Sequence, residues 1–211
     1  MLRNKIMLTA LAFILIALLV PSSVLPGEVS PDASPAVTMN APAFEFTLDG
    51  VGGTPRSLSD FSGRYVVLEW TDFECAKVQD LYSSGDLQKI QAWFRDRGVV
   101  WLSVVRRSAD IDIKSDIRDV RVNLAKGKSL AADCLLDDGG RLARQYRIEK
   151  LPTFCLIDPN GKFIWCGPID ALPDSASSDR PAATYLQAAF EASQAGKDLP
   201  TAPVVIGCLV Q

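Results

Sequence analysis

Apolar residues beyond position 43 follow two alternating patterns. Nearly continuous apolar runs of strand length occupy residues 65–70, 99–105 and 134–136. Stretches with apolar residues at helical spacing follow these runs, over 76–97, 113–125 and 140–146. An apolar run without alternation is typical of a strand covered on both faces, and connecting helices place such strands parallel in one sheet. The pattern predicts a β-α-β-α-β-α core, with Ser83-Ser84-Gly85 dividing the first helical stretch in two.

Two antiparallel hairpins are predicted to flank this core. Phe44 to Leu48 alternate apolar and polar side chains before a glycine-rich turn over 49–53. In the second hairpin, over 151–167, Asp158-Pro159-Asn160-Gly161 joins two apolar strands. A final helix is expected from Pro181 to about Ala195. The order predicts an α/β fold with a central mixed β-sheet, helices on both faces and an N-terminal β-hairpin.

The first residues follow a different pattern. Arg3 and Lys5 precede an unbroken apolar run over residues 6–20, and Pro21 ends it. This order is typical of an export signal, and the run is short for a membrane span. No clean Ala-x-Ala site follows, so the segment is either a cleaved signal peptide or an N-terminal anchor that attaches the protein to a membrane through residues 6–20. We therefore expect an exported protein, periplasmic or otherwise extracytoplasmic. Its expected parts are a signal or anchor (1–27), a linker (28–40), a folded domain (41–198) and a C-terminal tail that contains Cys208 (199–211).

Composition excludes several kinds of chemistry. The chain has 211 residues and no histidine, which rules out Ser-His and Cys-His catalysis and metal sites that use histidine. Acidic residues number 25 against 22 basic ones, without a basic run, so there is no electrostatic case for binding nucleic acid. No motif indicates a metal or organic cofactor. The five cysteines form no Cys-x-x-Cys pair, and their odd number fits a redox site better than a disulfide scaffold.

Three motifs, in order, resemble the thioredoxin fold in its peroxiredoxin-like branch. They are VVLEWTDFEC at 66–75, LPTFCLIDPNG at 151–161, and the hairpin before the first parallel strand. A closer likeness is to single-cysteine redoxin-domain proteins of the alkyl hydroperoxide reductase/thiol-specific antioxidant type. The chain shares with them Leu68-Glu69-Trp70-Thr71, Cys75, Val78 and a terminal Gly207-Cys208. The resemblance implies a thioredoxin-like three-layer sandwich in which Cys75 is a nucleophile at a helix start.

The ionisation of Cys75 is what decides its reactivity, because the thiolate is the nucleophile. A helix N-terminus and the nearby Lys77 favour the thiolate, each by about 0.3–1 kcal/mol when exposed. Asp72 and Glu74 disfavour it. The sequence leaves this balance open.

The resemblance places two further groups beside Cys75. Pro152 corresponds to the cis-proline that thioredoxin-fold proteins hold against the reactive cysteine, and Leu151 would then present its backbone to an extended substrate; the alternative is an ordinary trans-proline. Glu69, six residues before Cys75, corresponds to a buried carboxylate that moves protons. The alternative for Glu69 is a strand-end residue that faces solvent or pairs with an arginine. Together with Leu151 and Pro152, the residues predicted to contact substrate are Trp70, Thr71 and Lys77.

The remaining cysteines offer one distant partner for Cys75. Cys208 lies in an apolar tail that could fold back over the domain, where it is either a resolving cysteine or a free thiol. Cys155 and Cys166 lie on adjacent hairpin strands; we expect core residues, with a cross-strand disulfide as the alternative. Cys134 is expected to be buried.

These features predict an exported thiol-disulfide oxidoreductase or peroxiredoxin-like antioxidant protein. Its expected partners are protein or small-molecule thiols and disulfides, peroxides, and an external reductant. The peroxiredoxin signature needs Thr or Ser three residues before the cysteine and Pro seven before, where this chain has Asp72 and Leu68, so robust peroxidase activity is not implied. The rival hypothesis is a catalytically degenerate thioredoxin-fold binding module.

Overall fold

A computed structural model describes residues 39–107, 113–169, 184–202 and 205–210, with the backbone alone for 113–116. The predicted signal or anchor, the start of the linker and Pro181 lie outside the described residues. In the part that is described, no helix is long and apolar enough to cross a membrane.

Seven of the described strands form one mixed sheet, in the order β2-β1-β5-β4-β3-β7-β8. Its members are β1 (Thr47–Gly50), β2 (Pro55–Ser57), β3 (Val66–Thr71), β4 (Val100–Arg107), β5 (Asp133–Asp138), β7 (Thr153–Ile157) and β8 (Phe163–Gly167). The central strands β3, β4 and β5 are parallel, and all other pairs are antiparallel. The predicted mixed sheet, with a hairpin at each end of the domain, is confirmed.

The described helices follow the predicted order. They are α1 (Ala76–Ser83), α2 (Asp86–Arg95), α3 (Ile113–Lys126), α4 (Arg141–Gln145) and α5 (Tyr185–Gln194). The break between α1 and α2 falls at Ser84 and Gly85, where Gly85 takes a left-handed conformation. The last helix begins later than predicted, because Thr184 caps it: its hydroxyl accepts a hydrogen bond from the Gln187 amide.

Alternation along β3 divides the core between the two faces of the sheet. Val66, Leu68 and Trp70 belong to one cluster, which contains residues of α4 and of the N-terminal hairpin region. Val67 belongs to the other, which contains residues of α1, α2 and α5. All six residues of β3 are buried, as expected of a central strand between two helical layers.

The sequence did not predict a small second sheet. Strands β6 (Lys150–Leu151) and β9 (Cys208–Leu209) pair antiparallel, with Leu151 opposite Cys208 and Lys150 opposite Leu209. The C-terminal tail is thereby attached to the segment that precedes Pro152. This pairing brings the last cysteine of the chain to the start of α1.

Candidate functional site

Cys75 lies at the junction of β3 and α1, as predicted. It is the N-cap residue of α1, and its amide donates to the Asp72 carbonyl over 3.0 Å. The Asp72 carboxylate accepts from the Glu74 amide at 2.9 Å, which fixes the turn between strand and helix. Three residues beyond Cys75, where a local partner cysteine would lie, the buried Val78 packs into the core.

Cys75 forms a disulfide with Cys208, 133 residues further along the chain. The two sulfurs are 2.05 Å apart and the Cα atoms 5.9 Å apart. Cys75 is only 3% exposed, whereas Cys208 is partly exposed. The sequence left open whether Cys208 pairs with Cys75 or is a free thiol, and in the structure it pairs with Cys75.

Two further hydrogen bonds hold the chain around this disulfide. The Val210 amide, beyond Cys208, donates to the Glu149 carbonyl at 3.0 Å. Before the tail strand, the Trp165 indole donates to the Pro200 carbonyl at 3.1 Å. The tail is therefore anchored on both sides of residues 205–209.

The Leu151–Pro152 peptide bond is cis, as the resemblance implied. The Leu151 carbonyl oxygen lies 3.8 Å from the Cys75 sulfur. A sulfur in a disulfide has no proton to donate, so this is a packing contact. Lys77 and Pro152 line one cleft together with Ile206 of the tail. The structure thus brings together five of the predicted residues: Cys75, Cys208, Leu151, Pro152 and Lys77.

Trp70 and Thr71 line a neighbouring cleft of about 470 Å³, which Leu151 and Val210 also border. Both residues are 2% exposed, and neither the Trp70 indole nitrogen nor the Thr71 hydroxyl has a hydrogen-bond partner within the described ranges. A buried donor without a partner costs free energy until water or a ligand supplies an acceptor. The two side chains thus have buried donors without a described partner at the border of this cleft.

Glu69 lies in a buried polar network on the other face of β3. It is fully buried, so the solvent-facing alternative is wrong. Its Oε1 accepts from the Tyr82 hydroxyl at 3.0 Å. Its Oε2 accepts from the Trp101 indole at 2.7 Å, Ser103 Oγ at 3.1 Å and Gln91 Nε2 at 3.4 Å. One carboxylate therefore ties α1 and α2 to β4.

Burial raises the pKa of the Glu69 carboxyl above its ordinary value of 4.5, and the four hydrogen bonds oppose that rise only in part. The same environment raises the pKa of the nearby Tyr82 phenol and Cys134 thiol, because burial and then the Glu69 charge disfavour their ionised forms. Among the groups described, no hydrogen bond joins Glu69 to Cys75. Proton acceptance by Glu69 stays a prediction.

The remaining cysteines differ in part from expectation. Cys134 is a buried free thiol, as predicted. Cys155 and Cys166 face each other on β7 and β8 and form a second disulfide. The expectation that these two are unpaired core residues is therefore wrong, and the cross-strand alternative is right. In-register positions on adjacent antiparallel strands are close enough to be bridged.

Sequence reasoning missed the groups that orient this site. The donors to Glu69 come from three elements and carry no local signal, although the interruption of an apolar strand by a carboxylate indicated that such partners were needed. The tail contacts of Gly207 and Val210 were also missed, since β9 has only two residues.

The sequence pattern of the AhpC/TSA family matches residues 38–165, which is more than half of the chain. The chain belongs to the AhpC/TSA family. The match covers β1 to β7 and the start of β8 and includes Cys75 and Pro152, and the tail with Cys208 lies beyond it.

This AhpC/TSA protein is similar to thiol-disulfide oxidoreductases. It is 23% identical to the thiol-disulfide oxidoreductase ResA of Bacillus cereus over 162 residues, 77% of this chain and 87% of that protein. A crystal structure of an uncharacterized conserved protein from Geobacillus kaustophilus matches with a TM-score of 0.68 and 20% identity, over 83% of this chain and 92% of the other. A secreted Mycobacterium tuberculosis disulfide oxidoreductase, described as homologous to Escherichia coli DsbE, matches with a TM-score of 0.50 and 19% identity, over 70% and 95%. These structural matches support the thioredoxin-like fold.

Proposed function

We propose that this protein is an exported thiol-disulfide oxidoreductase that uses Cys75 and Cys208 as its redox pair. The observation on which the proposal rests is the disulfide between these residues at the start of α1, beside the cis Leu151–Pro152 bond. A helix N-terminus stabilises a thiolate, and such a thiolate attacks disulfides. The similarity to proteins named as thiol-disulfide oxidoreductases supports the same reaction.

In the reducing direction, the Cys75 thiolate attacks one sulfur of a substrate disulfide. A bond forms between Cys75 and that sulfur, and the other substrate sulfur leaves as a thiolate and takes a proton from solvent. The Cys208 thiolate then attacks the Cys75 sulfur of the mixed disulfide and releases the second substrate thiol. The substrate gains two electrons, and the protein ends in the disulfide form that the structure has. An external dithiol returns it to the reduced form.

The substrate cleft is assigned to Trp70, Thr71, Leu151, Pro152 and Lys77. Trp70, Thr71 and Leu151 border the same cleft, which can take an extended peptide segment. Lys77 adds a cation at the cleft that Pro152 lines. Asp72 occupies the position where peroxiredoxins have Thr or Ser, which favours disulfides over peroxides as substrates.

Export is part of the proposal for two reasons beyond the N-terminal pattern. Two disulfides are typical of a protein that works in an oxidising compartment. The Mycobacterium relative is described as secreted. Fractionation of cells that express the full chain, with the mass of the mature N-terminus, tests this part. Full-length protein in the cytosol with reduced cysteines would contradict it.

The redox assignment is tested with pre-reduced full-length protein and a peptide disulfide. Cys75→Ser should abolish reduction of the peptide, whereas Cys208→Ser should stop after one step and accumulate a mixed disulfide on Cys75. Cys134→Ser, a change at the free buried thiol, is the matched control and should turn over like the wild type. Wild-type protein that neither reduces the peptide nor forms an adduct would instead favour the binding-module hypothesis.

A further inference from the structure

The tail strand crosses the Leu151 backbone at a residue without a side chain. Gly207 directly precedes Cys208, which pairs with Leu151 in the β6–β9 sheet. A Cβ atom at position 207 would lie 2.8 Å from the Leu151 carbonyl carbon, and closer still to the carbonyl oxygen. Carbon atoms in contact normally stay about 3.5–4.0 Å apart. An alanine at 207 therefore does not fit the observed pairing.

Neither strand is free to move aside. Leu151 is 6% exposed, and its carbonyl oxygen packs 3.8 Å from the Cys75 sulfur. On the tail side, the Val210 amide is held by the Glu149 carbonyl at 3.0 Å. Since the Cys75–Cys208 bond fixes the position between these two contacts, the obstacle is backbone against backbone and no flexible side chain can give way.

The positions on either side of this crossing are open. Ile206 is 74% exposed and Leu209 is 68% exposed. Their side chains therefore place little demand on residue type. The steric demand is confined to the residue that directly precedes the cysteine.

We propose that the Leu151 carbonyl admits only glycine before the cysteine that pairs with Cys75. Gly207 is thus a positioning residue for the internal disulfide, and a partner protein that uses the same edge presents an extended segment with a Gly-Cys pair. This inference rests on the proposed function, because it names the substrate class of the same site. When the partner segment is bound, the tail must have left the edge.

The first test is Gly207→Ala in the full chain, equilibrated in glutathione redox buffers. The fraction of Cys75–Cys208 disulfide is read by alkylation and peptide mapping. We expect the equilibrium constant for forming the disulfide to fall at least about tenfold, which corresponds to about 1.4 kcal/mol and lies within the usual cost of overpacking. Without a clash, the equilibrium constant for forming the disulfide would rise instead, because alanine restricts the free tail more than glycine and favours its ordering.

Two controls make the result specific. Leu209→Ala changes an exposed tail residue on the other side of Cys208 and should leave the equilibrium unchanged. Gly52→Ala makes the same chemical change where an added Cβ meets nothing within 4 Å. A wild-type protein that never forms the Cys75–Cys208 disulfide would overturn the proposed function. If the wild type forms the disulfide and the Gly207→Ala variant forms it to the same extent, the glycine requirement alone is overturned.

The second test addresses external partners. The full-length Cys208→Ser variant is reduced and mixed with the peptide Ile-Gly-Cys-Leu-Val or Ile-Ala-Cys-Leu-Val, each activated as a mixed disulfide with thionitrobenzoate. Cys75 attacks the peptide sulfur, and thionitrobenzoate leaves as the coloured thiolate, so adduct formation is followed by absorbance and mass. We expect the Gly-Cys peptide to react about tenfold faster. Equal rates for the two peptides would contradict the selection of partners.

Discussion

Replacing Glu69 by glutamine should make the stability of the protein less dependent on pH. The geometry allows the replacement without losing donors. Trp101 can only donate, so the amide oxygen of the new side chain must face Trp101 and Ser103, and the amide nitrogen faces Tyr82. The Tyr82 hydroxyl can turn and accept, because it is both donor and acceptor. The variant therefore keeps the network and removes only the titrating group.

The sign follows from the raised pKa of Glu69. A carboxyl whose pKa is higher in the folded state binds its proton more tightly there, so it adds stability below its ordinary value of 4.5. That contribution is lost as the pH rises towards the folded pKa, at up to about 1.4 kcal/mol per pH unit. Glutamine has no such loss. The free energy of unfolding of the variant, minus that of the wild type, should therefore increase as the pH rises above 4.5. This difference should become constant above the pKa that Glu69 has in the folded protein.

Urea denaturation of the oxidised full-length proteins, at pH steps from about 4 to 8, measures this difference. Other titrating groups are shared by the two proteins and cancel in the difference. Glu191→Gln, at an exposed glutamate of α5 outside the network, makes the same chemical change and is the matched control. A difference between Glu69→Gln and the wild type that does not change with pH would refute the reasoning, since the Glu69 carboxyl would then titrate alike in the folded and unfolded states.

Three shorter predictions concern the redox site. A small thiol added in limiting amount to the oxidised protein should form its mixed disulfide with Cys208, because Cys75 is 3% exposed and Cys208 is partly exposed. The site of the adduct is found by acid quenching and peptide mapping, and an adduct on Cys75 would contradict the prediction. Thr71→Val keeps the side-chain shape and removes a buried hydroxyl without a described partner, so the free energy of unfolding should rise by on the order of 1 kcal/mol. Urea denaturation measures the change, and a loss of stability would show that the hydroxyl has a partner in solution. Cys208→Ser removes the 133-residue link and leaves the Cys155–Cys166 disulfide in place, so Tm should fall by on the order of 10 °C, since a loop of this length restricts the unfolded chain by about 5 kcal/mol. Calorimetry of the oxidised wild type and variant measures the shift, and an equal Tm would show that the link is not formed in solution.

The elements of the fold were predictable because each has its own period in the sequence. The nearly continuous apolar run of β3 predicted a covered strand, and the break at Gly85 falls where the helical period is interrupted. The change from a strand pattern to a helical pattern placed Cys75 at a helix start, and the family resemblance supplied the cis bond before Pro152. Periodicity reports which face of an element is buried, and for this reason the layers were correct.

The details of the site were not predictable because they depend on contacts between distant segments. The donors to Glu69 lie up to 34 residues away along the chain, and no local pattern marks a tryptophan or a glutamine as a future partner. The pairing of β9 with β6 involves two residues in each strand, too few to show alternation. The steric requirement for glycine at position 207 exists only because the Leu151 carbonyl lies against it, and that contact is not visible in the sequence.

The distance of Cys208 from Cys75 along the chain has a consequence for the edge beside Pro152. With Val78 where a local partner would lie, the second sulfur comes from another segment, and the tail brings it by pairing with the two residues that precede Pro152. Under the proposed function, the tail lies where an extended substrate would lie, and the oxidised protein is closed to such substrates. We expect reduction to release the tail and to open the edge in the state that has a free Cys75 thiol. The redox state of this one disulfide would then determine both the chemistry at Cys75 and access to it.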